Sequence, residues 1–318
     1  NIGVYAENEW DFKKLKVKTG IRLDKHSKLD DLIFSPRVNL LYDLNTSSQV
    51  RLTYAKGFRA PQIFDEDLHI EVTGAQAVRT VNDENLKEEI SHSYGLSLDN
   101  SGFIGSWQSY FLIDAFYTDL KDQFVKEIHI NDDGDAFLYR KNGSGANVYG
   151  VNLECKLAPT ESTSITFGFT HQKSEYDEEE VVWEAESGNA DSLVSTNNML
   201  RTPDDYGYII ANWNPNHHWN LSVNGTFTGE MLVPHLMDID TEYTIIENTE
   251  NFFDLGAKVS YEFHIGNKVS MTSYVGIKNM FDKYQNNFDA GINRDAGYVY
   301  GPGLPRMIYF GVKLENIF

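Results

Sequence analysis

The chain has 318 residues, with 27 Lys and Arg against 47 Asp and Glu, and a formal net charge of −20. That balance argues against a nucleic-acid partner, because phosphate binding requires a basic surface. The single cysteine, Cys155, excludes an internal disulfide. Without a CxxC motif, neither dithiol redox chemistry nor a thiolate zinc site is expected.

No stretch is apolar over the ~18 residues that a transmembrane helix needs. The dominant pattern is instead a period of two. In "WNLSVNGTF", Trp219, Leu221 and Val223 alternate with Asn220 and Ser222. Helical spacing is nowhere sustained, so the sequence predicts an all-β fold. A membrane β-barrel is compatible with the mean hydropathy of −0.42, because its lipid-facing side chains occupy only alternate positions.

The alternation and the turn signals predict about thirteen strands. In chain order they are expected near residues 1–12, 14–25, 35–44, 49–59, 87–100, 104–130, 136–158, 162–176, 200–214, 217–231, 251–265, 268–281 and 304–318. Short turns alternate with long connections, of which the longest are near 60–86, 177–199, 232–250 and 282–303. All the long connections therefore fall at one end of the predicted sheet, as in an outer-membrane barrel.

The tryptophans support the same fold. Four of the five lie within a few residues of the predicted short turns: Trp10, Trp107, Trp213 and Trp219. Tryptophans packed in the core of a soluble sandwich would have no reason to share one level. An aromatic girdle at one membrane interface requires such a level.

Three motifs resemble those of the TonB-dependent outer-membrane transporters. The stretch "YAKGFRAP" is similar to the family's aromatic-x-(Arg/Lys)-Gly-Phe-Arg-Ala-Pro box, with Arg59 and Pro61 in place. "NDENLKEEISHSYGLSLD" resembles the box that opens the next strand, although Glu84 and Glu88 stand where the family often has Pro. "YVGIKNMFDKYQ" and the final "GPGLPRMIYFGVKLENIF" resemble the last two strands of the barrel.

The resemblance implies an antiparallel meander forming part of a transmembrane β-barrel in the bacterial outer membrane. A complete barrel of the family has about twenty-two strands, so residues 1–318 are expected to be the C-terminal part of one barrel domain. The N-terminal plug and the segment that recruits TonB are absent from this sequence and are expected upstream. The resemblance also implies that the terminal Phe318 ends on the periplasmic side, which puts the long connections outside the cell.

Five residues are candidate ligand contacts in the connections predicted to be extracellular: Arg59, His69, Arg79, Trp183 and His235. Arg59 is predicted to face inward and Phe58 to face lipid, and an ion pair of Arg59 with an acidic wall residue is the simpler alternative to ligand contact. His69 is a candidate iron ligand only if haem is the cargo. Trp183 follows an acidic cluster, Asp177 to Glu180, that is either a cation site or a solvated loop tip.

The function expected from the resemblance is TonB-coupled uptake of a scarce, large nutrient: a ferric siderophore, a corrinoid or haem. The expected partners are the TonB system, outer-membrane lipid and the small-molecule nutrient. No resident cofactor is expected, since haem would be cargo. The alternatives are a barrel enzyme, for which no Ser–His or Asp–His spacing is found, and an adhesin or passive porin.

Overall fold

The computed structural model describes residues 1–61, 79–130, 136–184, 193–238, 243–265, 269–292 and 294–316. Its strands are numbered β1 to β19 in chain order. Within these ranges, no helix is long and apolar enough to cross a membrane.

Thirteen strands follow one another in a single antiparallel sheet, each paired with the next. They are β1 Ile2–Phe12, β2 Leu15–Lys25, β3 Leu32–Asp43, β4 Ser48–Arg59, β6 Glu89–Ile104, β7 Trp107–Lys121, β10 Ala146–Thr160, β11 Thr163–Glu184, β13 Asp205–Trp213, β14 Trp219–Thr228, β17 Phe252–Ile265, β18 Val269–Lys278 and β19 Met307–Asn316. The predicted number of strands and the meander are confirmed.

The other strands lie in the long connections. β5 Arg79–Asn82, β9 Ala136–Asn142 and β8 Phe124–Ile130 form a separate three-stranded sheet, in which β5 is parallel to β9. β12 Leu193–Asn198 pairs with the end of β11. β15 Leu232–Asp238 and β16 Tyr243–Asn248 form a hairpin of their own.

Two strands were predicted as too long. The expected strand at 104–130 is divided between β7 and β8, and the expected strand at 136–158 between β9 and β10. Asp122 has a φ of 55° at the first division, a left-handed conformation that ends a ladder. At the second, a side chain on Gly145 would lie 2.6 Å from the carbonyl oxygen of Leu120. The alternation continues on both sides of each break, so a period of two could not show them.

The two faces of the sheet separate as the alternation predicts. On one face Leu52 lies opposite Leu96, Leu96 opposite Ala115, and Ala115 opposite Val151. The same face continues at the other side of the sheet, where Val275 lies opposite Phe310. Phe310 is 87% exposed and Leu96 is 52% exposed. A continuous exposed apolar face that extends across the sheet is what a lipid-facing wall presents.

The opposite face is polar and hydrogen-bonded across strands. The Asn152 amide donates to Asp114 at 3.1 Å and its oxygen accepts from Thr170 at 2.8 Å, which joins β7, β10 and β11. Further along, the Tyr208 hydroxyl donates to Glu154 at 2.8 Å. This face corresponds to the interior of a barrel, where polar side chains meet water or other protein.

Aromatic side chains mark both ends of the apolar face. Trp10, Trp107, Trp213 and Trp219 all lie at the edge of the short turns, which confirms their predicted level. A second row, which was not predicted, lies toward the long connections: Tyr54, Tyr94, Tyr117 and Tyr149. Successive ring centroids in this row are 5.1, 6.2 and 6.4 Å apart. Two aromatic levels flanking an apolar band are the pattern of a membrane-spanning barrel wall.

Candidate functional site: the long-loop edge

The C-terminal ends of five strands lie at the same end of the sheet: β4, β7, β11, β14 and β18. We call this end, where the strands run into the long connections, the long-loop edge. It carries all the small added strands: β5, β8, β9, β12, β15 and β16. The opposite edge has only tight turns in the part of the chain that the structure describes. Binding sites are commonly built on loops that a rigid scaffold positions, so this edge is the candidate functional site.

The "GFRAP" box is fixed to its neighbours at this edge. Arg59 lies opposite Glu89 in the ladder, and its guanidinium donates to the Glu89 carboxylate at 3.2 Å. The other Glu89 oxygen accepts from the backbone N–H of Phe124 at 2.6 Å. The guanidinium also lies over the Phe124 ring, 5.4 Å from its centroid. Arg59 therefore joins β4, β6 and β8, the pairing anticipated as the alternative to ligand contact.

Phe58 differs from its predicted lipid-facing environment. It is half-buried and packs against a small apolar cluster of Leu29, Ile33 and Ala60. Leu29 belongs to the β2–β3 connection, which covers the end of β4. The alternation assigned the face of Phe58 but could not show that a neighbouring loop folds over it.

The other two motifs also contain side chains that hydrogen-bond to backbone groups. The Asp83 carboxylate accepts from the Asn85 N–H at 2.7 Å, and this hydrogen bond, with a second from Tyr139, lowers the pKa of Asp83. In the third motif Asn279 is 2% exposed with a φ of 45°. Its amide donates to the carbonyls of Lys283 and Leu304, both at 2.9 Å. All three motifs thus have a structural role at the start or end of a long connection.

Two of the predicted ligand contacts fall wholly or partly outside the described residues. His69 falls outside the described residues, with most of the loop that follows "GFRAP". Arg79 begins β5 and pairs with Phe137 of β9 through its backbone, but its side chain is not among those described. Residues 131–135, between β8 and β9, are also outside the described ranges.

Trp183 lies near the end of β11 and packs edge-on against Tyr243 of β16, with ring centroids 4.8 Å apart. Carboxylates of the acidic cluster before it accept hydrogen bonds from neighbouring side chains. Asp177 accepts from the Asn147 amide at 2.6 Å, and Glu179 accepts from the Ser195 hydroxyl at 2.6 Å. No group of three or more His, Cys, Asp or Glu side chains is arranged to hold a metal ion among the described residues.

His235 is largely buried, although it lies near the start of a long connection. Its exposed fraction is only 8%. Nε2 lies 3.0 Å from Asp289 and Nδ1 lies 3.3 Å from Glu247. The imidazole stacks on Tyr298, with ring centroids 3.7 Å apart and planes inclined by 5°. His235 thus joins the β15–β16 hairpin to the β18–β19 connection.

A network of hydrogen bonds surrounds this stack. The Tyr298 hydroxyl donates to Glu247 and accepts from the Asn287 amide. Buried Gln285 donates to the Tyr298 carbonyl and accepts from the Tyr300 N–H, both at 3.0 Å. Burial, followed by the bond to Glu247, raises the pKa of Tyr298. Its hydroxyl therefore remains a proton donor.

The two carboxylates are held in their ionised form. The hydrogen bond from Tyr298 is the largest cause of the lowered pKa of Glu247. The backbone N–H of Asp295 donates to Asp289 at 2.9 Å and is the largest cause of the lowered pKa of Asp289. Sequence reasoning missed this network because its members come from a hairpin and a later connection with no common spacing.

An antiparallel sheet with an exposed apolar face, two aromatic levels and all its long connections at one edge defines the wall of an outer-membrane β-barrel. The profile of the family described as "TonB dependent receptor-like, beta-barrel" matches residues 1–280. The chain belongs to this family, and its location is the outer membrane.

The relatives agree with this assignment. The chain is 26% identical over 302 residues to an iron-regulated outer membrane virulence protein of Vibrio cholerae serotype O1, covering 92% of this chain and 42% of the relative. The fold is similar to the siderophore receptor PirA of Acinetobacter baumannii, with a TM-score of 0.69, 17% identity, and coverage of 99% of this chain and 45% of the receptor.

It is also similar to the ferric-catecholate import receptor Fiu of E. coli, with a TM-score of 0.65, 17% identity, and coverage of 99% and 44%. The chain thus spans less than half the length of these relatives. The two solved structures are named as receptors and the family is described as receptor-like, in agreement with the prediction that the chain is not an enzyme.

Proposed function

We propose that the protein containing this chain takes up a ferric siderophore across the outer membrane in a TonB-dependent manner, with the long-loop edge as its extracellular mouth. The observation that carries the proposal is the barrel wall with all its long connections at one edge, in a family of TonB-dependent receptors. Two comparisons support an iron-containing cargo. The Vibrio cholerae relative is named as iron-regulated, and proteins of similar fold are named as siderophore receptors.

Among the predicted ligand contacts, Trp183 is the one we favour. It is only half-buried and lies on a long strand that projects into the long-loop edge, with Tyr243 beside it. Two adjacent aromatic rings can bind a large planar or amphipathic ligand. Arg59 and His235 are engaged by carboxylates, so they are proposed to shape the mouth rather than to touch the cargo first. Arg79 and His69 remain proposed contacts.

The test is uptake of radiolabelled ligand, with iron-55 in the iron-containing ligands and radioactive cobalt in the corrinoid, by iron-starved cells that express the full-length protein in a strain lacking its own siderophore receptors. Ferric catecholate, ferric hydroxamate, a corrinoid and haem would be supplied separately, with and without a functional tonB gene. TonB-dependent uptake of one ferric siderophore is expected. Uptake that continues without TonB would indicate a passive pore, and uptake of none of the four ligands would contradict the proposal.

The Trp183→Ala variant should raise the concentration needed for half-maximal uptake about tenfold, because one aromatic contact contributes roughly 1–3 kcal/mol to a bound ligand. Trp107→Ala is the matched control, since Trp107 is at the short-turn edge. If haem is the cargo instead, it should give a Soret shift that His69→Ala weakens, because an axial nitrogen is lost.

A further inference from the structure

A cavity of about 380 Å³ lies at the long-loop edge, between added strands from three successive connections. Its walls come from β8, β11, β12 and β15 and from the β12–β13 connection, and the residues that define it are Phe124, Tyr176, Glu180, Val182, Leu200 and Pro234. We call it the loop cavity. Its size is within the usual range of small-molecule sites.

The loop cavity lies on the polar inner face of the sheet. In the ladder between β10 and β11, Tyr176 lies opposite Ala146 and Thr170 lies opposite Asn152. An even number of positions separates Tyr176 from Thr170, so both side chains point to the same side of the sheet. Thr170 and Asn152 belong to the hydrogen-bonded face that corresponds to the barrel interior. The loop cavity is therefore placed where a cargo would enter the barrel.

The lining combines aromatic and aliphatic side chains with one acidic group. Phe124 and Tyr176 contribute aromatic rings, and most of the other lining residues are aliphatic. Glu180 is the one charged residue of the lining, and it is half-buried. Its side chain makes no hydrogen bond or ion pair with the residues that the structure describes. The carboxylate is thus available to a ligand.

Glu180 and the ring of Tyr176 act on the same space. Burial is the largest cause of the raised pKa of Tyr176, and the negative charge of Glu180 is the second. The pairing of β11 with β12 is irregular between Glu175 and Glu180. Such bulges redirect side chains and are common beside functional sites. The local backbone therefore favours a binding role for this part of β11.

An alkylammonium group matches this lining. Its carbon chain can pack on the aliphatic wall, and its charge is attracted both to the face of an aromatic ring and to the carboxylate of Glu180. An anionic group would be repelled by Glu180. The guanidinium of Arg59, which contacts the Phe124 ring, is already engaged by Glu89.

The connections beside the cavity add to this preference. Residues 177–199 and 232–250 contain 12 Asp and Glu in total and no Lys or Arg. A mouth with one sign of charge attracts ligands of the opposite sign and repels those of the same sign. A strongly anionic complex, such as a ferric tris-catecholate, is therefore disfavoured at this side of the mouth.

We propose that the loop cavity binds an alkylammonium group of the cargo, with Glu180 as its counter-ion and with Phe124 and Tyr176 as its aromatic wall. This inference rests on the proposed siderophore function and narrows it. The cargo is a ferric complex with a free amine, as in a linear trihydroxamate that ends in an amino group. Glu180 is then a specificity-determining residue.

The experiment is isothermal titration calorimetry of the purified, full-length protein in lipid nanodiscs. Three probes are compared: the ferric complex of desferrioxamine B, which has a terminal amine, its N-acetylated form, and a ferric tris-catecholate. Acetylation removes the positive charge and keeps the three hydroxamates and the chain. The amine form should bind about tenfold more tightly than the acetylated form, because one charged hydrogen bond is added. The tris-catecholate should bind more weakly than the amine form.

Glu180→Gln should abolish the preference for the amine form, because the amide keeps the size of the side chain and loses its charge. Its affinity for the acetylated form should equal that of the wild type, which also shows that the variant is folded. The matched control is Glu178→Gln, on the same strand, where the side chain is exposed and does not line the cavity. This variant should keep the tenfold preference.

Equal binding of the amine and acetylated forms by the wild type, tighter binding of the tris-catecholate, or binding of none of the probes would overturn the proposal. Loss of the preference in Glu178→Gln as well would assign it to the general charge of the mouth and would contradict a role of the cavity. Binding is measured without cells or TonB. TonB-dependent uptake of a ferric tris-catecholate alone would therefore sustain the proposed function while the cavity inference fails.

Discussion

Asn279 shows what a short motif can specify at the level of a single residue. Its backbone is left-handed, which Asn tolerates better than most side chains, and its buried amide holds two carbonyls of the β18–β19 connection. The motif "KNMFDK" was recognised as a sequence pattern, but the pattern alone does not say what the Asn does. Its role is to end β18 and fix the path of the connection.

Replacing Asn279 with Ala should loosen the β18–β19 connection by about 2–4 kcal/mol, since two buried carbonyls lose their donor and the left-handed backbone becomes strained. Asn279→Gly should be about 1 kcal/mol less damaging, because only the strain is relieved. Limited proteolysis within the connection would measure both. If Ala and Gly were cut as slowly as the wild type, the amide would have no structural role.

At the scale of strands, the thirteen wall strands could be predicted because a period of two marks each of them. The added strands could not, because β15 and β16 pair only with each other and β5 pairs with a strand from a different connection. The tyrosine row could also be predicted from the sequence, because its four members all lie close to a predicted long connection: Tyr54, Tyr94, Tyr117 and Tyr149.

The assignment of faces can be tested within β14. Val223 lies opposite Ala257 on the apolar face, and Asn224 is its neighbour on the polar face. Val223→Arg should destabilise the barrel by roughly 2–4 kcal/mol, because it places a charge in the lipid band, while Asn224→Arg should be tolerated. Urea unfolding of the full-length protein in lipid vesicles measures both variants. Equal losses would contradict a membrane-facing wall.

For the molecule as a whole, the sheet has two outermost strands, β1 and β19. Each has one side that pairs with no described strand. It also has an apolar face with exposed side chains such as Ile308 at 71% and Phe310 at 87%. Unpaired edges and a large apolar face favour association with other chains. Both the apolar face and the unpaired sides of β1 and β19 are therefore available for contact with lipid or with other strands.

Residues 1–318 expressed alone should consequently aggregate in water and require detergent, whereas the full-length protein should refold into vesicles. Size-exclusion chromatography without detergent measures this difference. A soluble, folded monomer of the isolated chain would show that the apolar face is covered in some other way and would contradict the barrel topology.

The central claim is that the long-loop edge faces the outside of the cell. It is tested most directly by labelling intact cells with a membrane-impermeant maleimide, in a background where Cys155 is replaced by Ser. Ile292→Cys, at a residue that is 95% exposed at the long-loop edge, should be labelled in intact cells. Glu161→Cys, in the turn between β10 and β11, should be labelled only after the outer membrane is opened. Labelling of Glu161→Cys but not Ile292→Cys in intact cells would contradict the account.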